Sequence, residues 1–415
     1  MRKNTIMNAI EESLQDHGER FENLKDTIEE YQKAKPLILT GYDRRDQTSK
    51  LRDVILRKFD ATPKDWDSYK WQMRNRISDP QLIGEFLELD DDRIEKIAKV
   101  AEKFRFAVSP YYLSLVNKDD VDHCPIYKQA VPSFEELAMT GELDPMDEEG
   151  TSVGELITRR YPDRLIIKVT NVCGMFCRFC QRRRAIGEND MAAPKEQIAA
   201  AIEYVRENQE IRDVLITGGD AFMIPDSTID WLLKELRSIE HVEIIRFGSR
   251  TPVTLPQRVT DKLVSILKKY APIYVNTHFN SIREFTDESK KACSKLADAG
   301  IPLGNQMVLL RGVNNNKFVV RKINQELLKF RVRPYYIFHP KDIRGTKHFY
   351  CKVEEGLDIM ESLRGKTSGM AIPTYIVNGP GGLGKTPVMP SYLFYIGKNR
   401  AVFRNWEGKS FEIKN

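Results

Sequence analysis

At 415 residues the chain has room for two or three domains, or for one large α/β barrel with appendages. Hydrophobic residues make up 41% and charged residues 30%, mean hydropathy is -0.46, and no apolar run approaches the roughly 20 residues a membrane helix needs; a membrane protein is not expected. The net charge of +5, from 65 basic and 60 acidic residues, is too mild to argue for a nucleic-acid partner. The first dozen residues, Met1-Arg-Lys-Asn-Thr-Ile-Met-Asn-Ala-Ile-Glu-Glu, are too polar for a signal peptide. A cytoplasmic location follows as the expectation, with thiols kept reduced and free to act as ligands.

Residues 1–60 are charge-rich, with apolar residues at helical spacing such as Ile10, Leu14, Phe21 and Leu24. They predict an N-terminal helical extension, packed on the body or on another subunit, or a loosely attached arm. A better-patterned helical region runs from residue 61, through Leu82–Leu87, Asp92–Phe106 and Ser109–Val116. It closes in the turn-prone acidic stretch Thr140–Gly150, read as a linker.

From Leu165 short β-rich runs alternate with amphipathic helical stretches. Strands are predicted at Leu165–Thr170, Asp213–Thr217, Glu243–Phe247, Ile273–Thr277, Gln306–Leu310 and Arg333–Phe338. Helices are predicted at Lys195–Asn208, Ser227–Ser238, Thr260–Tyr270, Asp287–Ala299, Lys317–Lys329 and Lys352–Leu363. Six βα units over residues 151–365 imply a parallel sheet, doubly wound or curled into a partial barrel, with chemistry where the strands end. Residues 366–415 hold Thr374–Val377, a glycine-rich loop and two short strands near Tyr392–Ile396 and Ala401–Phe403.

The densest chemical signal follows the first of these strands. Cys173, Cys177 and Cys180 lie within eight positions. Thiolates so close select zinc, Cu(I) or an iron–sulfur cluster. A closed zinc site would want a fourth ligand, and none is near. Three ligands on a four-iron cluster would leave one iron open. Arg182-Arg183-Arg184 follows at once, either a solvated basic face or a holder of anionic groups, with Arg159, Arg160 and Arg164 adding to the patch. Gly218-Gly219-Asp220 follows the second strand, Gly248-Ser249-Arg250 the third and His278 the fourth. Two glycines permit close approach to a ligand, Asp220 could pair with an ammonium, and His278 reads as a packed histidine. Cys124, Cys293 and Cys351 are isolated and read as inert thiols.

Gly379-Pro-Gly-Gly-Leu-Gly-Lys385-Thr386 satisfies both GxxxxGK[ST] and GxGxxG. Both motifs need a helix to begin at the loop. Pro387 and Pro390 oppose one, which argues against nucleotide binding. The loop does carry one lysine on a flexible glycine arm, a candidate Schiff-base nucleophile if desolvated; otherwise it is a surface turn.

The cysteine spacing, with an aromatic before the last Cys, resembles the radical S-adenosylmethionine (SAM) superfamily. Tyr161-Pro-Asp-Arg164, Cys180–Arg184, Thr217–Asp220, Gly248–Pro252, Asn276–Phe279, Gly304–Gln306 and Gly379–Pro387 together resemble the lysine 2,3-aminomutase family, over about Trp66 to Glu407. The resemblance implies a partial (β/α)6 barrel with a helical N-terminal region and short C-terminal strands. It implies a 4Fe–4S cluster, SAM and pyridoxal 5′-phosphate (PLP). Cys173, Cys177 and Cys180 would ligate three irons, and SAM the fourth. Gly219 and Asp220 fall where the family binds the methionyl amine, and Gln306 where it meets the carboxylate; Arg250 and His278 would line the same pocket. Lys385 matches the PLP lysine, Arg160 and Arg164 the phosphate contacts, Tyr161 a neighbour of the ring, and Arg182 the partner of the substrate α-carboxylate. The implied chemistry is cleavage of SAM to a 5′-deoxyadenosyl radical, hydrogen abstraction from the substrate β carbon, and migration of nitrogen from Cα to Cβ with PLP stabilising the radical. A flavodoxin- or ferredoxin-type electron donor and a homo-oligomer are implied as well.

Two departures carry information. Lysine-specific members place two aspartates around the distal ammonium of the substrate; here the matching positions hold Lys341 and Asn378. A cation and a neutral amide would leave that ammonium unpaired or repelled, and suit a carboxylate instead. A one-residue shift would bring Asp342 to the first position, but Asn378 is a second, independent loss of charge. The expected reaction is L-glutamate to 3-aminoglutarate (β-glutamate), as in the glutamate 2,3-aminomutase branch. Alternatives are a lysine 2,3-aminomutase giving β-lysine, a relative making β-lysine for attachment to a protein, and a non-catalytic iron–sulfur module. Some members bind zinc between subunits through a body Cys and tail cysteines. Asn316 stands at the body position and no tail cysteine is present, so no zinc is expected.

Overall fold

The computed structural model describes Gly18 and residues 20–415. Ile10 and Leu14 lie outside the described residues. The two sheets are a nine-stranded one in the order β1 to β9, and a three-stranded one, β10 to β12. The large sheet begins with β1 (Ile157–Tyr161), antiparallel to β2 (Arg164–Thr170). Parallel pairing then runs through β3 (Asp213–Gly218), β4 (Ile244–Gly248), β5 (Ile273–Thr277), β6 (Leu303–Val308), β7 (Val332–Phe338) and β8 (Thr374–Gly379). β9 (Gly384–Val388) turns back antiparallel on β8. The sheet curls until its edges meet: the Tyr161 hydroxyl on β1 accepts from the Lys385 backbone N–H on β9 at 2.9 Å. The partial (β/α)6 barrel is therefore nearly closed, with β8 a seventh parallel strand.

Alternation along each strand divides core from cavity. On β3, Val214 and Ile216 are fully buried in the core shared with the helices, while Leu215 and Thr217 face the interior cavity. On β4, Ile245 and Phe247 are buried and Arg246 lines the cavity. The crossover helices run Lys195–Glu207, Asp226–Arg237, Asp261–Lys269, Asp287–Asp298, Lys317–Lys329 and Val353–Leu363. Polar caps fix several of their starts: Thr260 accepts from Leu263 N–H, Thr286 from Ser289 N–H, and Asn316 from the N–H groups of Phe318 and Val319. Asn316 thus has a structural duty of its own.

Three expectations need correcting. β6 begins at Leu303 rather than Gln306, because Gly304 and Asn305 mask a strand that packing enforces. The glycine-rich stretch is a hairpin, with Lys385 inside β9 opposite Asn378, not a lysine on a flexible arm. Positive φ at Gly381, Gly382 and Gly384 makes the reversal possible, and no helix follows Lys385. The acidic stretch Thr140–Gly150 does not separate two bodies: Met146 and Glu148 are each about 95% buried, and Glu142 N–H bonds to Asp342 O at 2.9 Å.

The N-terminal extension packs on the barrel. A helix over residues 20–34 brings Tyr31 against Phe318, and the Tyr31 hydroxyl donates to Gln325 Oε1 at 2.6 Å. Among the described residues no helix is long and apolar enough to cross a membrane.

Candidate active site

A cavity of about 410 Å3 occupies the barrel and opens at the carboxyl ends of the strands. It is lined by every residue to which the family resemblance assigns a cluster, cofactor or substrate role: Cys173, Cys177, Cys180, Arg182, Gly219, Asp220, Arg250, His278, Gln306, Arg160, Tyr161, Arg164, Lys341, Asn378 and Lys385.

The cysteine loop is held by backbone and charge. Phe176 N–H bonds to Ala107 O and Arg178 N–H to Gln129 O, both at 3.0 Å, tying the loop to the N-terminal helical region. Gly219 shows why the neighbouring loop needs its glycine. A Cβ there would lie 2.5 Å from the Asn171 carbonyl carbon and 2.6 Å from Val172 O. The close approach is to the chain entering the cysteines rather than to a ligand. Asp220 N–H bonds to Val172 O at 2.8 Å, and its carboxylate accepts from Ser249 Oγ at 2.7 Å and Arg250 N–H at 2.7 Å.

The thiols suit an iron–sulfur cluster by their chemistry. Burial raises the Cys173 and Cys180 pKa values, and the neighbouring thiols raise them further, so these two become thiolates only with a strong positive charge beside them. Arg250 is the nearest protein cation, with Nη1 2.8 Å from Cys177 Sγ. Its other nitrogens bond to His278 O at 3.0 Å, Gln129 Oε1 at 2.7 Å and Glu284 Oε1 at 2.9 Å. His278 is held neutral, at about 3, by burial and by Arg250. Its Nε2 is 2.9 Å from Asn280 Oδ1, an acceptor, which assigns the proton to Nε2. Phe179, Leu310, Val313 and Phe349 form a small apolar cluster against Cys177, which keeps water from that wall.

The arginines after the cysteines are neither a solvated face nor unengaged. Arg182 grips Glu148 with Nε (3.1 and 3.0 Å) and Nη2 (2.9 Å). Arg183 and Arg178 both bind the fully buried Glu136, the latter at 3.0 and 2.6 Å. Arg184 pairs with Asp144 at 2.8 Å. Arg159 leaves the patch altogether and bonds to Glu210 and Tyr204. Burial opposes ionisation of Glu148, but Arg182 and Arg160 prevail and hold its pKa low.

At the closing edge, Lys385 Nζ lies 5.7 Å from the ring centres of both Tyr161 and Tyr336. The side chain is open to the cavity, yet the surrounding protein desolvates it. With Arg246, Arg164 and Arg160 adding repulsion and Asp213 opposing, its pKa is pulled down to about 8. The Arg164 guanidinium stacks 4.0 Å over the Tyr161 ring. Arg160 keeps a buried Nη2 with no hydrogen-bond partner, as an absent anion would leave it. These residues fit PLP: a depressed amine for the aldehyde and guanidinium groups for the phosphate.

Lys341 lines the cavity while Asp342 is exposed outside it, so the register places the cation inward. Burial, then Arg182, pulls the Lys341 pKa down to about 7, and its Nζ donates to Gln181 Oε1. Asn378 Nδ2 is buried without a partner. In all, eight Lys or Arg side chains line the cavity against two carboxylates, Glu148 and Asp220, both already engaged. Such an excess of positive charge favours anionic groups on a ligand.

Among the lining residues missed from the sequence are Glu148, Lys168, Gln181 and Arg246. Lys168 and Arg246 carried a usable signal, a charge at an inward position of an otherwise apolar parallel strand. Nothing in the sequence marked Glu148 within its acidic run.

A strand-end cavity with three cysteines on the loop after its first parallel strand defines a radical SAM protein, and the Radical SAM superfamily model matches residues 167–320. A second model, Lysine-2,3-aminomutase, matches residues 360–412, which hold the Lys385 hairpin. The chain is 52% identical to glutamate 2,3-aminomutase of Clostridioides difficile strain 630, over 96% of this chain and 94% of that relative. It is 48% identical to L-lysine 2,3-aminomutase of Acetoanaerobium sticklandii and 46% identical to that of Clostridium subterminale, each over 84% of both chains. The chain belongs to the lysine 2,3-aminomutase family of radical SAM enzymes. It is an isomerase of the radical aminomutase type, with the family's 4Fe–4S cluster, SAM and PLP as cofactors.

Proposed function

We propose that this enzyme moves the α-amino group of L-glutamate to C3, giving 3-aminoglutarate. One observation carries the choice of substrate: the Lys341 ammonium and the unpartnered Asn378 amide nitrogen line the same cavity. Two donors ask for an acceptor, and a distal carboxylate supplies it. A distal ammonium would meet Lys341, with Glu148 bound by Arg182 and Asp220 assigned to SAM.

When bound, the cluster with SAM supplies the radical and PLP the π system that stabilises it. The cluster's electron comes from an external donor of the flavodoxin or ferredoxin type. Cys173, Cys177 and Cys180 hold three irons. Gly219 and Asp220 receive the methionyl amine of SAM, Gln306 its carboxylate, and Arg250 and His278 line its pocket. Lys385 forms the link to PLP, Arg160 and Arg164 bind the phosphate, and Tyr161 sits beside the ring. Arg182 binds the α-carboxylate through Nη1, since Glu148 occupies its other edge. Lys341 and Asn378 bind the side-chain carboxylate. Fixed at both ends, the substrate presents its β carbon in one orientation to the radical source.

The rival reading is a lysine 2,3-aminomutase, supported by the relatives of that name. The test is anaerobic reconstitution with iron, sulfide, SAM, PLP and reductant, with glutamate and lysine offered separately. Turnover of glutamate is expected; conversion of lysine alone would reverse the assignment.

A further inference from the structure

Beside the two residues assigned to the distal carboxylate stands a third, Gln181, immediately after Cys180. Lys341 Nζ donates to Gln181 Oε1. A lysine offers only donors, so the amide atom facing it is the oxygen, and the –NH2 end points away. Among the described residues Gln181 Nε2 donates to nothing, and Gln181 lines the same cavity as Lys341 and Asn378.

The surroundings explain why a neutral side chain stands here. Lys341 is pressed by Arg182, Arg160 and Lys385, and the one nearby carboxylate, Glu148, is bound by Arg182. A carboxylate at position 181 would neutralise Lys341 and repel an acidic substrate. An aliphatic side chain would leave the ammonium without an acceptor. An amide anchors the ammonium by its oxygen and leaves a donor over for the ligand. The two partners come from opposite sides of the cavity. Gln181 belongs to a backbone turn in which Arg183 N–H bonds to Cys180 O at 3.3 Å and Ala185 N–H to Arg182 O at 2.8 Å. Lys341 follows the end of β7. The bond between them therefore links the cysteine loop to the wall that reads the side chain.

We infer that Gln181 is a specificity-determining residue for dicarboxylic amino acids: its oxygen aims the Lys341 ammonium, and its amide nitrogen donates to the same distal carboxylate. This rests on the reading of glutamate as substrate. The test compares wild type, Gln181→Ala, Gln181→Met and Gln181→Glu as holoenzymes. Glutamate Kd is read from the change in PLP absorbance on adding the amino acid, alongside KM, kcat and iron per chain. 2-Aminobutyrate, which lacks the distal carboxylate, serves as the control ligand. Gln181→Ala and Gln181→Met are expected to raise glutamate Kd and KM about tenfold, a typical loss for a hydrogen bond to a charged group, with kcat little changed. Gln181→Glu is expected to raise Kd about a hundredfold, since it adds repulsion. 2-Aminobutyrate binding should move less than about twofold in all three, as a test of damage elsewhere. Unchanged glutamate Kd in Gln181→Met, equal weakening of both ligands, or a loss confined to iron content would overturn the inference. Lys341→Gln separates it from its premise. If that variant weakens glutamate and the Gln181 variants do not, only the role of Gln181 falls. If Lys341→Gln also leaves glutamate binding unchanged, the substrate reading itself falls.

Discussion

Asn378 and Lys385 face each other across the β8–β9 ladder, directly paired in register. Side chains so paired stand about 5 Å apart at Cβ on one face of a sheet. The group proposed to read the far end of the substrate and the amine proposed to take the cofactor are therefore set at a fixed spacing by one hairpin. Slipping that hairpin by one residue would turn both away from the cavity together.

The depressed amine of Lys385 gives a pH dependence for cofactor capture. Only the neutral amine attacks an aldehyde, and with a pKa of about 8 roughly a tenth is neutral at pH 7. The rate of PLP attachment to cofactor-free protein should rise about fivefold from pH 7 to 8 and level off above 9, about tenfold above its pH 7 value. Stopped-flow absorbance with PLP measures it. Lys385→Ala should bind PLP only reversibly, with no adduct trapped by borohydride and turnover reduced to background.

Charge reversal at the distal site should exchange specificity. With Lys341→Asp and Asn378→Asp together, glutamate would face two carboxylates. The penalty is several kcal/mol, or at least about a hundredfold in kcat/KM, with residual activity shifting to lysine. Unaltered glutamate kinetics would mean that these side chains never meet the substrate.

Lys341 predicts the alkaline limb for substrate binding. Burial and its cationic neighbours Arg182, Arg160 and Lys385 hold its pKa near 7, against Glu148. Below that pH the ammonium is charged and attracts a carboxylate; above it the attraction fades. Glutamate Kd should weaken by up to about tenfold per pH unit above 7, until binding to the neutral form takes over. The Kd of 2-aminobutyrate should lack this limb, and a matching limb would refute the assignment.

Glu148→Gln should act on every amino acid alike. The substitution removes the charge that holds Arg182 by two nitrogens and offsets Arg160. Loss of about 2–3 kcal/mol of stability is expected, seen as a Tm lower by several degrees. Glutamate and 2-aminobutyrate Kd values should shift by the same factor if, as proposed, both present an α-carboxylate to Arg182.

The barrel core was legible because two physical periods alternate cleanly from Leu165 to Leu363: strands with buried faces such as Val214 and Ile216, then helices with an apolar stripe. The cysteine loop and the strand-end residues were legible as well, since a parallel sheet delivers its strand ends to one place. Legibility failed where tertiary pairing overrides local composition. Glu148 sits among turn formers and acids that look solvated, yet Arg182 draws it inside. Gly384 and Pro387 disfavour a strand, yet β8 supplies the partner that makes one. Gln181 is silent without Lys341, which lies 160 positions away in the chain.

Arg182, Arg183 and Arg184 find their carboxylates at Glu148, Glu136 and Asp144. The superfamily match starts only at residue 167, so a fragment cut to that boundary would strand these three guanidinium groups, and that of Arg178, without counter-charge beside the cysteines. The smallest working unit of this enzyme must reach back past Glu136. Any graft of its barrel onto another scaffold would have to carry those acids along, and a genetic split between them and the cysteines would part each of these guanidinium groups from its counter-charge.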